Sequence, residues 1–434
     1  MNEQELVPTG KPQSLWAATA GDQGAHQHLA EILEVDVTIV GAGFTGLRAA
    51  LKLAEAGLKT VVMDAGDVGY GASGRNGGQV NPMLPFNTPE KLTKLLGNKY
   101  FERLTEASLG SADELFSVIK KYQIECKARQ NGWLRVCHSS RALKDAEAGV
   151  AEWNKHGAGM SIIDQDEVER LSGTQAYQAG VLTPKGGAVQ PMLLANGLAN
   201  AAKQRGCKIF GNSPVQDVKQ ADGKWVAKTE HGSVTSDWII VATNGYTGDL
   251  IPRLSTSIIP VTPIQIATDP LPESVVANIL PEGHTISDSR RIIMYARREA
   301  DNRMVYGGHG KMLPSGEIHG VGWLTKDAVR VFPQLKDVKW SYKWGGRIAI
   351  TDDHLPHLHE PKPGLLIGLG YNGRGVAMSN VMGRVMAERV LGKSVDELPF
   401  PNTAIKDFSL RSIKLAGMSS AIWFMRLLDY LETR

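Results

Sequence analysis

The sequence predicts an α/β protein in which segments of a dinucleotide-binding domain are interleaved with strand-rich insertions. Three observations predict it. A strand, glycine turn, helix and second strand fall in register in "DVTIVGAGFTGLRAALKLAEAGLKTVVMDAG", residues 36–66. Another strand, glycine turn and helix, "GLLIGLGYNGRGVAMSNVMGRVMAERVLG", returns in the last third. Between them, residues 258–310 are strand-rich and punctuated by Pro260, Pro263, Pro270 and Pro272.

The first unit is Rossmann-like. Val35, Val37, Ile39 and Val40 read as a buried parallel strand. Gly41, Gly43 and Gly46 then supply a tight turn, close backbone approach to a pyrophosphate, and close packing of helix on strand. Leu47, Ala50, Leu51 and Leu53 give the helix an apolar stripe that ends at Gly57. The second strand, residues 60–63, delivers Asp64 where a carboxylate accepts hydrogen bonds from a ribose diol. NAD, NADP and FAD proteins all use this motif; Asp64 favours a free 2′-hydroxyl and so disfavours NADP.

Helices are expected over residues 90–125, 141–156, 165–171 and 322–333, and from Pro191 to Gly206. "NGWLRVCHS", residues 131–139, reads as a strand after a turn. Residues 207–243 read as a strand, a meander turning at "ADGK" and "EHGS", then a buried strand. The expected division is an N-terminal extension over 1–34, nucleotide-binding segments at 35–90, 187–257 and 344–400, second-domain segments at 91–186 and 258–343, and a C-terminal helical segment at 401–434.

Composition bounds the function. The chain has 434 residues, enough for two or three domains, with 42% apolar and 21% charged residues. Its net charge of +3 gives no reason to expect a nucleic-acid partner. Cys126, Cys137 and Cys207 are scattered without metal-ligand spacing, so no metal site is expected and a reducing cytoplasm is. No secretory signal or membrane span is expected. The C-terminal helix carries Trp423 and Phe424 with basic residues; packing on the body of the protein is expected over contact with a membrane surface.

Gly368, Gly370 and Gly373 spell the glycine fingerprint again. A second nucleotide site for NADPH would need another strand ending in an acid, and "GKSVDELPFPN" offers none. The expectation is instead a helix N-terminus aimed at the redox ring of a cofactor already bound, where its dipole stabilises negative charge.

"VGYGASGRNGGQV", residues 68–80, surrounds Arg75 and Asn76 with glycines and small residues, as a loop wrapped around a cofactor would. With "SLWAATA", "YQIECKARQNGWL", "GGAVQPMLLANGLANAA", "IIVATNGYTGDLIP", "DNRMVYGG", "FPQLKDVKWSYKWGG" and "GLGYNGRGVAMSNVMGRVMAE", it resembles the D-amino-acid-oxidase-like superfamily of FAD proteins, which includes glycine oxidase and sarcosine oxidase. Within it the resemblance is nearest to the γ-glutamylputrescine oxidoreductase group and covers nearly the whole chain.

The resemblance implies FAD, a D-amino-acid-oxidase/glycine-oxidase-like fold with a mixed-sheet α+β substrate domain, and oxidation of an amine or amino acid. Oxygen or another electron acceptor would complete the cycle. It implies that Gly41, Gly43, Gly46 and Asp64 hold the ADP part, joined by Phe44, Thr45 and Ala65 from the same turns. Ser73, Arg75, Asn76, Gly77, Gly78 and Gln79 would line pyrophosphate and flavin. Val215 would meet the adenine, Thr243, Asn244 and Gly245 would close over the cofactor, and Gly373, Gly375 and Val376 would meet the pyrimidine edge. No histidine or cysteine falls within "GASGRNGGQ", so non-covalent attachment is expected there.

Two departures concern the substrate. Arg374 stands where the family often has histidine, and Arg347 also differs from the near relatives. Trp344, Arg347, Tyr371, Asn372 and Arg374 are the candidates nearest the reaction; Tyr295, Arg297, Arg298 and Tyr306 are expected on the substrate sheet, an arginine there being able to clamp a carboxylate. An NADPH-using flavin monooxygenase and a non-catalytic FAD-binding regulatory protein are the competing readings.

Overall fold

In the computed structural model, residues 14–432 are described, apart from 23, 85, 314 and 315. Ile32–Val40 is the central strand of an eight-stranded sheet, and its last four residues are buried. It begins before Val35 because Ile32, Leu33 and Glu34 pair in parallel with Ser233, Val234 and Thr235, so the partner strand extends it past the apolar run. Thr60–Met63 and then Lys208–Phe210 lie parallel on one side; Ser233–Val241 and Leu365–Leu369 lie parallel on the other. His357–Lys362 closes that edge antiparallel, and the hairpin of Asp217–Ala221 and Lys224–Lys228 folds onto Ser233–Val241.

The helices Phe44–Glu55, Gly375–Val390 and Pro191–Lys203 cover one face of this sheet. Leu47, Leu51, Leu198, Val381 and Val385 are buried there, each contributing about 1.5–3 kcal/mol by leaving water. The first two helices touch through Gly383, where a Cβ would overlap the Thr45 carbonyl oxygen. That contact seats the first turn of Phe44–Glu55 against the middle of Gly375–Val390.

A second eight-stranded sheet runs in the order Trp340–Gly345, Pro263–Thr268, Met304–His309, Tyr295–Arg298, Thr285–Asp288, Trp133–Val136, Ala179–Thr183, Ser161–Asp164. Its neighbours are antiparallel except Thr285–Asp288 with Trp133–Val136, which makes the sheet mixed. Ile264, Ile286, Met304 and Leu324 centre its separate core. Trp344 belongs to this sheet, opposite Gln265.

Two terminal helices flank the sheets. Leu15–Thr19 is capped by Ser14, whose hydroxyl accepts from the Ala17 N–H at 3.1 Å. Its Leu15 and Trp16 are buried, so the expected extension carries a packed helix; residues 1–13 of it lie outside the described residues. The C-terminal helix Arg411–Glu432 rests on the body along one stripe, as expected: Arg411 Nε donates to the Ile258 carbonyl at 3.0 Å, Lys414 pairs with Asp352, Met418 and Ile422 are half-buried, and the Arg426 guanidinium lies over the Trp323 ring. Asp429 is its one buried residue, accepting from the Arg291 and Ile292 N–H groups, whereas Trp423 is 67% and Phe424 54% exposed. Polar contacts at both ends hold the helix, while Trp423 and Phe424 on its outer face stay bare. Among the described residues no helix is long and apolar enough to cross a membrane.

Candidate functional site

A cavity of about 1330 Å³ begins at the carboxyl ends of the parallel strands, at Val40, Met63 and Ala242, and runs to Trp133, Thr183, Ser287 and Tyr295 of the mixed sheet. Ligands of open α/β sheets sit at that end of the strands.

At the Asp64 end the glycine turn behaves as its sequence requires. Gly41 has φ +111°, and a Cβ there would sit 2.8 Å from the Ala242 carbonyl oxygen. A Cβ on Gly43 would sit 2.9 Å from Ser73 Oγ, the atom that accepts from the Phe44 N–H at 2.9 Å. Gly46 does not line the cavity; a Cβ on it would overlap the Gly41 carbonyl. Asp64 accepts from the Ala42 N–H at 2.7 Å and the Gly66 N–H at 2.8 Å. Burial lifts its carboxyl to about 6 against the pull of those two donors. Phe44, Thr45, Ala65, Val215, Thr243 and Asn244 also line this end, and Asn244 Oδ1 accepts from the Gly370 N–H at 2.9 Å. Gly245 lies behind, against the Arg347 carbonyl.

Ser73, Arg75, Asn76, Gly77 and Gln79 line the middle. Arg75 Nε donates to the Tyr70 carbonyl at 2.8 Å with its guanidinium over the Tyr70 ring, and Asn76 Oδ1 accepts from the Gly78 N–H at 2.7 Å. Gln79 Nε2 donates to the Ile286 and Ala296 carbonyls, joining the loop to the mixed sheet. Gly78 sits outside the lining, where a Cβ would overlap Arg297 and the Val189 carbonyl.

Tyr371 is buried beside the first turn of the helix Phe44–Glu55, its hydroxyl 2.6 Å from Thr45 Oγ1, and desolvation pushes its phenol upward. Asn372 Oδ1 accepts from the Thr351 N–H at 3.0 Å. Gly373, Arg374, Gly375 and Val376 present the start of the helix Gly375–Val390 to the same cavity that Gly41 lines. Gly373 of the second glycine fingerprint thus opens onto the same cavity as the first. Arg374 lies over the Trp133 ring at 4.7 Å, its Nε has no acceptor, and burial, with Arg135 repelling it, draws it down to about 10. His309, also in the lining, is drawn down by burial and then by Arg426.

Several candidates belong elsewhere. Trp344 is 2% exposed and lies behind the lining, donating from Nε1 to the Arg75 carbonyl at 3.0 Å. Arg347 is outside the lining, its guanidinium over the ring of Tyr246, which lines the cavity as do Gly346 and Ile348 on either side of the arginine. Arg297 is paired with Glu299 and bonded to the Gly77, Gly78 and Val189 carbonyls, and Arg298 donates to the Val276 carbonyl at 2.7 Å. Tyr306 donates to Asp327. Those two arginines and Tyr306 tie the sheet to its surroundings outside the cavity lining. Tyr295 does line the cavity.

Sequence reasoning missed Trp133, Arg135, Thr183, Ser287 and His309, and Met418 and Ile422 from the C-terminal helix. Trp133 and Arg135 carried a readable signal: two residues apart in a strand, they share a face.

The sequence matches the family described as FAD dependent oxidoreductase (DAO) over residues 36–389. It is 32% identical over 394 residues to the γ-glutamylputrescine oxidoreductase of Escherichia coli strain K12, covering 88% of this chain and 90% of that protein. It is 34% identical over 371 residues to the Haemophilus influenzae protein named "Probable oxidoreductase OrdL", covering 84% of each. The fold is similar to that of glycine oxidase from Geobacillus kaustophilus, with TM-score 0.72 at 22% identity, covering 86% of this chain and 99% of that one.

Proposed function

The chain belongs to the DAO family of FAD-dependent oxidoreductases, and within it we propose that it oxidises the C–N bond of a small amine that also carries an anionic group. One observation carries this reading: a single cavity joins the Asp64 turn to a far chamber where Arg374 lies over Trp133 beside Arg135. The glycine turn, where a side chain on Gly41 or Gly43 would collide with its surroundings, fits a pyrophosphate-bearing cofactor. Gly41, Gly43, Asp64, Ser73, Arg75, Val215 and Thr243 would hold FAD non-covalently, with Asn76, Gly77, Gln79 and the helix start at Gly375 around its ring. Bound FAD supplies the two-electron acceptor.

The substrate carbon next to nitrogen gives up a hydride and the nitrogen a proton. Water then splits the imine into a carbonyl compound and an amine or ammonia. The protein's part is positioning: no carboxylate–histidine dyad is needed if desolvation keeps the amine neutral. Trp133 and Tyr295 supply buried aromatic walls, and Arg374 supplies a cation whose Nε has no protein acceptor. The relation to the Escherichia coli enzyme supports a γ-glutamylated polyamine, whose carboxylate would suit that cation.

Anaerobic mixing of the holoenzyme with γ-glutamylputrescine, putrescine, glycine, sarcosine and D- and L-amino acids tests the reading. Bleaching of the flavin band by a carboxylate-bearing amine is expected, and admitting air then distinguishes oxygen from another acceptor. Bleaching by putrescine alone, or by none, would overturn the substrate assignment.

A further inference from the structure

Four consecutive carbonyls of the loop Arg75–Gly78 are each held by a side-chain donor. Trp344 Nε1 at 3.0 Å and Gln265 Nε2 at 2.7 Å donate to the Arg75 carbonyl. Trp16 Nε1 donates to the Asn76 carbonyl at 2.8 Å. Arg297 Nη1 donates to the Gly77 and Gly78 carbonyls at 3.3 and 2.9 Å. Trp16, Trp344 and Arg297 lie outside the cavity lining, behind the loop.

A trans peptide points its C=O and N–H in opposite directions. The Asn76 carbonyl and the Gly77 N–H belong to one peptide unit, so holding that carbonyl behind the loop aims the N–H at the cavity, which Gly77 lines. Among the described residues the Gly77 N–H meets no acceptor. Gly77 and Gly78, the latter at φ +65°, offer little resistance of their own to turning this peptide over. Orientation therefore depends on what grips the carbonyl.

We propose that Trp16 is a positioning residue for the redox reaction, fixing the Asn76–Gly77 peptide so that its N–H, and not its carbonyl, faces the flavin ring. An N–H favours the electron-rich reduced ring, whereas a carbonyl repels it. Trp16 is itself held: the Arg297 guanidinium lies 5.1 Å from its ring centroid, Trp344 meets it edge-on at 5.7 Å, and Gln190 Nε2 donates to its carbonyl at 2.8 Å. It stands outside residues 36–389, the span matched to the family. The proposal rests on the reading that this loop lies against the ring.

The test compares two-electron reduction potentials of holoenzymes, measured anaerobically with an indicator dye, for wild type, W16F, W344F and N76S. Phenylalanine at 16 keeps the ring against Arg297 and Trp344 and removes only the donor. W16F is expected to retain FAD and to lower the ratio of reduced to oxidised flavin at a fixed potential about tenfold, about 30 mV for a two-electron couple. W344F, whose carbonyl keeps Gln265, is expected to shift less in the same direction. A shift in N76S with none in W16F would overturn the role of Trp16 and leave the ring where it is placed. No shift in either would show that the loop does not face the ring. If W16F yields no holoenzyme, W344F decides: an unchanged potential overturns the proposal.

Discussion

The hydroxyl oxygens of Tyr371 and Thr45 lie 2.6 Å apart, joining the turn that enters the helix Gly375–Val390 to the first turn of the nucleotide-binding helix Phe44–Glu55. Both residues line the cavity and both are buried. Two helix starts that come from opposite ends of the chain are thus bonded directly beside the cofactor position.

Tyr371→Phe leaves Thr45 Oγ1 buried without its partner, at a cost of about 1–3 kcal/mol. The melting temperature of the variant is expected to drop by a few degrees, and its FAD to dissociate faster. Thermal unfolding followed by flavin fluorescence reads both. An unchanged melting temperature would show that the bond contributes nothing net.

Arg374→Met removes the cation over Trp133. KM for a carboxylate-bearing amine is expected to rise about tenfold or more, since a hydrogen bond to a charged group contributes about 1.5–3 kcal/mol. An uncharged amine of the same length should change less than about threefold, because it makes no use of the charge. Steady-state kinetics on the paired substrates tests this, and equal losses on both would refute an anion-binding role.

Gly43→Ala places a methyl group against Ser73 Oγ, which caps the Phe44 N–H. Either Ser73 moves and the helix start loses its acceptor, or the turn opens. FAD affinity is expected to fall at least about tenfold, while Gly392→Ala, with open space around it but φ +101°, loses stability without losing FAD. Titration of stripped protein with FAD measures the first, and calorimetry the second.

Asp64 gives FAD binding a pH dependence. Burial raises its carboxyl to about 6 in the protein without ligand, and accepting ribose hydroxyls requires the ionised form. Bound cofactor therefore lowers this pKa. Affinity should be full above pH 6 and decline as pH falls through 6 towards 5, whereas Asp64→Asn binds weakly at every pH. A wild-type Kd that stays flat between pH 5 and 7 would rule out that contact.

What could be read from the sequence was local. Gly46 and Asp64 act through neighbours within one strand–turn–helix unit, and the spacing that locates them also locates Gly41 and Gly43, whose crowding by Ala242 and Ser73 comes from farther along the chain. Trp344 and Arg347 looked like lining residues because they precede the second glycine turn, yet the lining in this stretch falls to Gly346 and Ile348–Ile350. Arg297 was expected on the substrate sheet, where an arginine is able to clamp a carboxylate; its carbonyl partners at 77, 78 and 189 are visible only once three distant segments meet. Trp133, Ser287 and Tyr295 share a chamber through the register of strands from different parts of the chain, which no local period encodes. The C-terminal helix had the amphipathic pattern of a packed helix, but pattern does not say which apolar face finds a partner.

The central strand Ile32–Val40 takes its parallel neighbours from residues 60–63 and 233–241, and the sheet is extended by 365–369. During synthesis, then, the glycine turn emerges first and waits for more than half the chain before its second flank exists, and longer for the helix that seats against Gly383. Such non-local closure is slow and leaves apolar strand edges open to aggregation meanwhile. The nascent chain should acquire flavin only after residue 390 has cleared the ribosome, so yield in cells is set by how long that half-built sheet is protected, and adding cofactor early cannot shorten the wait.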